Sequence, residues 1–177
     1  MTVILNNWSI IMNRLFKAIS LFAVVALVGC AQPAKMEQMV VRTGDLGDAK
    51  MNADFSKAIS LEKVSGGRKT NPLWMSEVST DAFAKSLENS LKTVGVFTAE
   101  KGRYALTADL LSLKKPFVGL NITVHSSVHY KLVDLSTQKS IYNKNIDASY
   151  RATVGDAFAF TKRLRMANEG AIRENIR

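Results

Sequence analysis

The chain has 177 residues, 47% of them hydrophobic, and its 24 Lys and Arg against 15 Asp and Glu give a formal charge of +9. The length suits one domain with its own core, and the single cysteine, Cys30, excludes an intramolecular disulfide. A basic balance fits nucleic acid, an anionic membrane surface or an acidic partner. Because the sequence has no nucleic-acid motif, we expect no nucleic-acid partner.

The chain begins with the pattern of an export signal. Leu15 to Val28 form an apolar stretch with Lys17 as its only charge. This stretch is shorter than a membrane-spanning helix, which needs about 20 residues. Residues 1–11 carry no charge, whereas a basic segment begins at Met12, so we expect Met12 to be the true start. The alternative to a cleaved export signal is an apolar segment that stays in the chain as a membrane anchor.

Cys30 lies directly after the apolar stretch and before a polar sequence. This arrangement resembles the lipobox of bacterial lipoproteins, in which a cysteine is the first residue after the cleavage site. The resemblance implies that residues 1–29 are a signal peptide and that Cys30 becomes a diacylglyceryl-modified N-terminus. Because Ala31 rather than Asp follows, it also implies sorting to the outer membrane, with the protein facing the periplasm. The alternative to lipidation is that Cys30 is a small buried residue of the core. The lipobox positions are Leu27, Val28 and Gly29.

The remaining chain is predicted to divide into two parts. Residues 30–55 form a lipidated N-terminus and a polar tether, and residues 56–177 form a single α+β periplasmic domain. Lys57 to Val64 alternates in polarity as a strand does. Ser65 to Pro72 has the Gly, Asn and Pro residues of an exposed loop.

Two helices are predicted from apolar residues that recur every three or four positions. The first covers Thr80–Val94, with Asp81 at its positive end and Gly95 as the residue that ends it. The second begins near Asp156, which suits an N-cap, and continues toward the C-terminus. The stripe of the first helix is Phe83, Leu87, Leu91 and Val94. The second places Phe160, Leu164, Ala167 and Ala171 inside and Lys162, Arg163, Arg165 and Arg173 outside.

Three strands are predicted between the helices, over Arg103–Leu113, Leu120–Val133 and Ser140–Tyr150. In the middle one, even positions are apolar, except Ser126, and odd positions polar, typical of a strand with one face on a core. The connections are short, which indicates antiparallel pairing. The predicted fold class is therefore α+β, an antiparallel sheet of about four strands (the meander and the earlier strand) with two helices on one face.

The sequence offers no constellation typical of catalysis or metal binding. His125 and His129, the only histidines, share one strand face about 13 Å apart, which is too far to hold one ion. The only thiol is assigned to lipidation, no G-x-S-x-G motif occurs, and the acids are isolated. We expect a protein that is not an enzyme, with no catalytic residue, no metal and no cofactor.

Two features are candidates for contacts with a partner. Trp74 and Phe117 are aromatic residues in predicted loops beside cations, which suits a partner or a membrane interface. A place in the core beneath a loop is the alternative. The second feature is a two-glycine loop able to form a backbone nest that holds an anion, with a plain loop as the alternative. Its residues are Gly66, Gly67, Arg68 and Lys69.

The order strand, helix, three-stranded meander, helix is similar to that of small envelope lipoproteins of Gram-negative bacteria, such as the lipopolysaccharide-assembly lipoprotein. We expect a non-catalytic binding or assembly module, held at the outer membrane by the lipid on Cys30, with an envelope protein or an anionic glycolipid as partner. Cleavage of the signal removes Arg14 and Lys17 and no acid, so the formal charge falls from +9 to +7. The positive charge suits attraction to an anionic glycolipid. The alternative is that the lysines and arginines are dispersed and only keep the surface soluble. An envelope hydrolase and a carrier of a small lipophilic ligand are the alternative functions.

Overall fold

The computed structural model describes residues 30–47, 52–72 and 75–177. The expectations for Met12, for the lipobox Leu27 to Gly29 and for Trp74 concern residues outside these ranges. The short turns Thr43–Leu46 and Ala53–Phe55 are 3₁₀-helical. The helices and strands, in chain order, are α1 (Met36–Met39), β1 (Ile59–Ser65), α2 (Thr80–Thr93), β2 (Tyr104–Lys114), β3 (Ile122–Asp134), β4 (Lys139–Ala152) and α3 (Phe160–Ile176).

The described strands form one sheet in the order β1-β2-β3-β4. The strands β2, β3 and β4 pair antiparallel, as their short connections predict, whereas β1 pairs parallel with β2. The α+β class is thus confirmed, but the prediction of a purely antiparallel sheet is wrong for β1. The reason is that α2 carries the chain back along the sheet between β1 and β2, so that both strands run in the same direction.

The polarity alternation of β3 is confirmed. Ile122, Val124 and Val128 are fully buried on the inner face, whereas His125 and Lys131 are exposed on the outer face. The inner face packs against the helices and forms the core with them. One face of the sheet therefore meets the helices and the other meets solvent.

The position of α2 matches the prediction closely. Ser79 Oγ accepts a hydrogen bond from Ala82 N at 3.1 Å, which caps the helix. Gly95 follows with φ of +76°, a left-handed conformation that favours glycine. Phe83 and Leu87 are buried in the core beneath the helix.

The start of α3 differs from the prediction, because Asp156 belongs to a turn before the helix. Its carboxylate accepts hydrogen bonds from the backbone N and the hydroxyl of Thr153, at 2.7 and 2.8 Å, and the helix begins at Phe160. Arg163 was predicted on the outside and is buried instead, because its guanidinium donates to backbone carbonyl groups. The predicted inner stripe is buried at Leu164, Ala167 and Ala171.

The segment after Cys30 packs on the domain, where the sequence predicts a polar tether. Ala31 N donates to Pro72 O at 2.8 Å. The short helix α1 lies against both α2 and α3, and Met39 and Val41 are buried. These apolar side chains fill space between the longer helices, so the packed domain begins at Ala31.

Candidate functional site

The two histidines lie on the outer face of β3, as predicted. The ring Nδ1 of His129 lies 2.7 Å from Asn145 Oδ1. His125 shares a shallow polar surface with Ser127 and Asp147, but no hydrogen bond of the described residues joins it to either. Within residues 30–47, 52–72 and 75–177, no three or more His, Cys, Asp or Glu side chains are grouped to hold a metal ion.

The two-glycine loop is explained by packing. A Cβ on Gly66 or Gly67 would lie 2.1 Å from a backbone atom of a neighbouring element, so only glycine allows this close approach. Arg68 N donates to Val78 O at 2.8 Å, and this amide is therefore not turned toward an anion. The side chains of Arg68 and Lys69 are exposed.

Cys30 and Phe117 are both exposed. Phe117 lies in the loop between β2 and β3, and its exposure excludes the alternative position in the core. The thiol of Cys30 is free, and its packed neighbour Ala31 follows directly.

An apolar cavity of about 510 Å³ lies between the helices and one end of the sheet. We call this the far end, where β3 ends at Asp134 and β4 begins at Lys139. Sites for small molecules have volumes of about 300–1,000 Å³. None of the described residues in the wall is an Asp, Glu, His or Cys. The wall includes Leu91, Leu106, Leu132, Ile146 and Ile176.

Two residues of this wall each have one buried polar atom without a hydrogen-bond partner among the described residues. The atoms are the hydroxyl of Tyr130 and Oδ1 of Asn175, and the two residues are 8% and 4% exposed. Burial raises the pKa of the Tyr130 hydroxyl, which therefore stays neutral and able to donate. A buried polar group without a partner costs about 1–3 kcal/mol.

The side-chain amide of Asn175 is held in one orientation by its own NH₂ group. Its Nδ2 donates to Ile146 O at 2.8 Å and to Ser126 Oγ at 3.2 Å. Ser126 Oγ donates in turn to Ala171 O at 2.9 Å. Both amide hydrogens are used on the sheet side, so Oδ1 is the atom left without a partner.

The cavity opens toward solvent beside the first residues of β4. Ile141, Tyr142 and Arg177 are the exposed members of its wall. The Arg177 guanidinium lies 3.2 Å from a carboxylate oxygen of Glu174. The opening is therefore mainly apolar, and its cation is already paired.

Neither Tyr130 nor Asn175 stands out in the sequence as a site residue. Tyr130 lies at an apolar position of the alternating pattern in β3, and this pattern predicts a core residue. Asn175 follows Ala171 by four residues, so it extends the inner stripe of α3 as a polar residue among apolar ones. That mismatch is the signal in the sequence that points to the cavity.

The comparisons with known proteins show the fold and no more. No family model matches the chain, and no curated protein matches it. A crystal structure of a Xanthomonas campestris protein of the family DUF330 is 14% identical with a TM-score of 0.52, covering 71% of this chain and 84% of that one. This likeness supports the α+β architecture.

Two further solved structures are similar over a comparable share of the chain. A Caulobacter crescentus protein, provisionally described as a lipoprotein, is 15% identical with a TM-score of 0.45, covering 69% of this chain and 83% of that one. A minor lipoprotein from Acinetobacter baumannii is 16% identical with a TM-score of 0.41, covering 68% and 85%. Within the described residues, the helices of this chain are too short or too polar to span a bilayer.

Proposed function

We propose that the chain is a lipid-anchored outer-membrane lipoprotein whose periplasmic domain is a non-catalytic module that binds a lipophilic ligand. The observation that carries this proposal is the apolar cavity of about 510 Å³ between the helices and the far end of the sheet. The cavity favours the ligand carrier over the other functions weighed from the sequence.

The chemistry of the wall defines the class of ligand. Leu, Ile and Val side chains from the sheet and both long helices surround a volume suited to a hydrocarbon chain. Among the described residues of the wall only Arg177 is charged, and it is paired with Glu174. A neutral lipid with one acyl chain therefore fits best.

The anchor is supported by the sequence around Cys30. Leu27 to Gly29 have the residue types of a lipobox, and Cys30 is exposed directly before the packed domain. Lipid on this residue holds the domain at the membrane surface, where lipophilic ligands are abundant.

A cavity-filling substitution tests ligand binding. Leu132→Trp adds volume inside the cavity, whereas Leu111→Trp, on an exposed residue of β2 outside the wall, is the matched control. The full chain is purified from membranes and titrated with a fluorescent monoacylglycerol, with bound lipids identified by native mass spectrometry. We expect the parent and Leu111→Trp chains to bind and Leu132→Trp to lose at least tenfold in affinity, which corresponds to about 1.4 kcal/mol.

Circular dichroism shows whether the Leu132→Trp chain is folded. A folded Leu132→Trp chain that binds the probe as tightly as the parent contradicts the proposal. A parent chain that neither carries a lipid nor binds the probe contradicts it as well.

A further inference from the structure

Four large apolar side chains are exposed together at the end of the domain opposite to the cavity opening. Phe117, Val118 and Leu120 lie in the β2–β3 loop and are 79%, 82% and 76% exposed, and Phe158 in the β4–α3 loop is 91% exposed. We call these four residues the apolar tip. Exposed apolar groups in such a cluster mark a surface that contacts another molecule or a membrane.

The fold brings the two loops to the same end of the sheet. Because β2, β3 and β4 are antiparallel, β2 ends where β3 begins and where β4 ends. One buried guanidinium then joins the loops: Arg163 donates to Ala157 O at 2.8 Å, to Phe158 O, and to Gly119 O at 3.4 Å. The tip is therefore a single ordered patch built on a buried cation.

The chain emerging from Cys30 reaches the domain at this same end. Ala31 N and Ala34 N donate to Pro72 O and Glu77 O, at 2.8 and 3.1 Å. The β2–β3 loop contacts the same stretch through Lys115, whose ammonium pairs with Glu77 and also donates to a neighbouring backbone carbonyl. Cys30 precedes Ala31, so a lipid on its thiol begins only one residue, about 4 Å of chain, from the packed domain.

Exposed cations lie toward the same end of the domain as the tip. Lys114 ends β2, Arg151 lies near the end of β4, and Lys162 lies in the first turn of α3, and all three are exposed. The one acid of the β4–α3 loop, Asp156, already accepts two hydrogen bonds from Thr153. Apolar and aromatic side chains with a basic rim are the composition that binds the interface of an anionic membrane.

We infer that the apolar tip inserts into the interfacial layer of the membrane that holds the acyl chains on Cys30. The inference rests on the lipid anchor of the proposed function, because the chain that follows Cys30 joins the domain at the end that carries the tip. It also orients the molecule. The strand β4 has 14 residues, or about 45 Å at full extension, so the cavity opening beside its first residues faces away from the bilayer.

Tryptophan reporters test this orientation. Phe158→Trp places a reporter in the tip, and Thr137→Trp, on an exposed residue of the β3–β4 turn at the far end and outside the cavity wall, is the matched control. The full chain is purified from membranes and reconstituted into vesicles of phosphatidylethanolamine and phosphatidylglycerol with brominated acyl chains. The emission of the parent, which retains Trp74, is subtracted. We expect a blue shift and a loss of emission for Phe158→Trp and neither for Thr137→Trp.

The outcomes separate the tip from the anchor. The mass of the N-terminal peptide reports acylation, and an unmodified Cys30 contradicts the anchor whatever the tip does. An acylated chain in which the emission of Phe158→Trp is unaffected by brominated lipid overturns the tip inference and leaves the anchor standing. If that reporter is shielded from soluble acrylamide but not quenched by lipid, a protein or a second copy covers the tip, and the inference is overturned as well.

Discussion

At the scale of single residues, buried polar side chains determine where α3 lies. Asn168 Nδ2 donates to Ser76 O at 2.9 Å. Glu169 Oε1 accepts from Lys35 N at 2.8 Å, and burial raises the pKa of this carboxyl. These bonds tie the helix to two distant stretches of chain. The helix that closes the cavity is thus positioned by hydrogen bonds as well as by its apolar stripe.

The carboxylate of Asp134 is predicted to make stability depend on pH. The hydroxyl of Ser136 and the guanidinium of Arg103 donate to it and lower its pKa to about 2. This is below the usual value of about 4, so the folded state binds fewer protons than the unfolded state. The stabilisation is complete above pH about 4 and is lost as the pH falls through about 2. Asp134→Asn should lower the free energy of unfolding at neutral pH and flatten its dependence on pH in this window, as measured by urea unfolding.

Ser136→Ala provides the control for that prediction. It removes the first hydrogen-bond donor and keeps Arg103, so the pKa of Asp134 should rise only part of the way to its usual value. A titration of the Asp134 carboxyl followed by NMR measures this change. A pKa that stays at about 2 in the Ser136→Ala chain would show that the hydroxyl is not the cause.

At the scale of elements, sequence patterns predict those features that depend on residues close together in the chain. The limits of α2 follow from its cap at Ser79 and from Gly95, and the strands of the meander follow from polarity alternation. The parallel direction of β1 and the packing of α1 depend on contacts with residues far along the chain. Asp156 illustrates the difference, because a residue suited to cap a helix is used in a turn with Thr153 instead.

Gly170 on α3 is predicted to be required for packing. An alanine within a helix is normally more stable than glycine by about 1 kcal/mol. Here a Cβ would lie 2.2 Å from Cγ of Tyr150, and overpacking of this kind costs about 1–3 kcal/mol. We expect Gly170→Ala to destabilise the domain by up to about 2 kcal/mol in urea unfolding. In a Tyr150→Ala background Cγ and both Cδ atoms are absent, and the same substitution should be neutral or stabilising. Destabilisation of equal size in both backgrounds would contradict this explanation.

At the scale of the whole molecule, the two ends of the sheet differ in character. One end carries the apolar tip and the point where the chain leaves Cys30, and the far end carries the cavity opening. The outer face between them is polar, with His125 and His129 among its residues. In the proposed function the far end receives the ligand, and in the further inference the tip end meets the membrane.

Cys30→Ser tests the proposed anchor of the whole protein. Acyl chains hold a lipoprotein firmly when there is more than one, whereas weaker contacts give reversible binding. We expect the Cys30→Ser chain to be folded but largely lost from the membrane fraction, since the apolar tip alone binds weakly. Gln32→Ser, a change of an exposed neighbour, is the control and should stay with the outer membrane. Retention of the Cys30→Ser chain in that membrane would contradict the anchor.

The cavity could be predicted only in part. Its apolar residues belong to stripes and alternations that the sequence displays, and Asn175 interrupts one of these stripes. The volume itself lies where side chains of β1 to β4, α2 and α3 fail to fill the space between them, and no local pattern encodes such a gap. The tip is similar: Phe117 was a candidate from the sequence, but Phe158 joins it only through the buried Arg163.

The sequence by itself determined the α+β class, the limits of α2, the two faces of β3 and the lipobox-like Cys30, because each depends on residues near one another in the chain. The tertiary structure decided the direction of β1, the packed N-terminal segment, the burial of Arg163, the cavity and the tip. These depend on contacts between distant residues, where volume, hydrogen-bond partners and chain direction are set by the packing of whole elements.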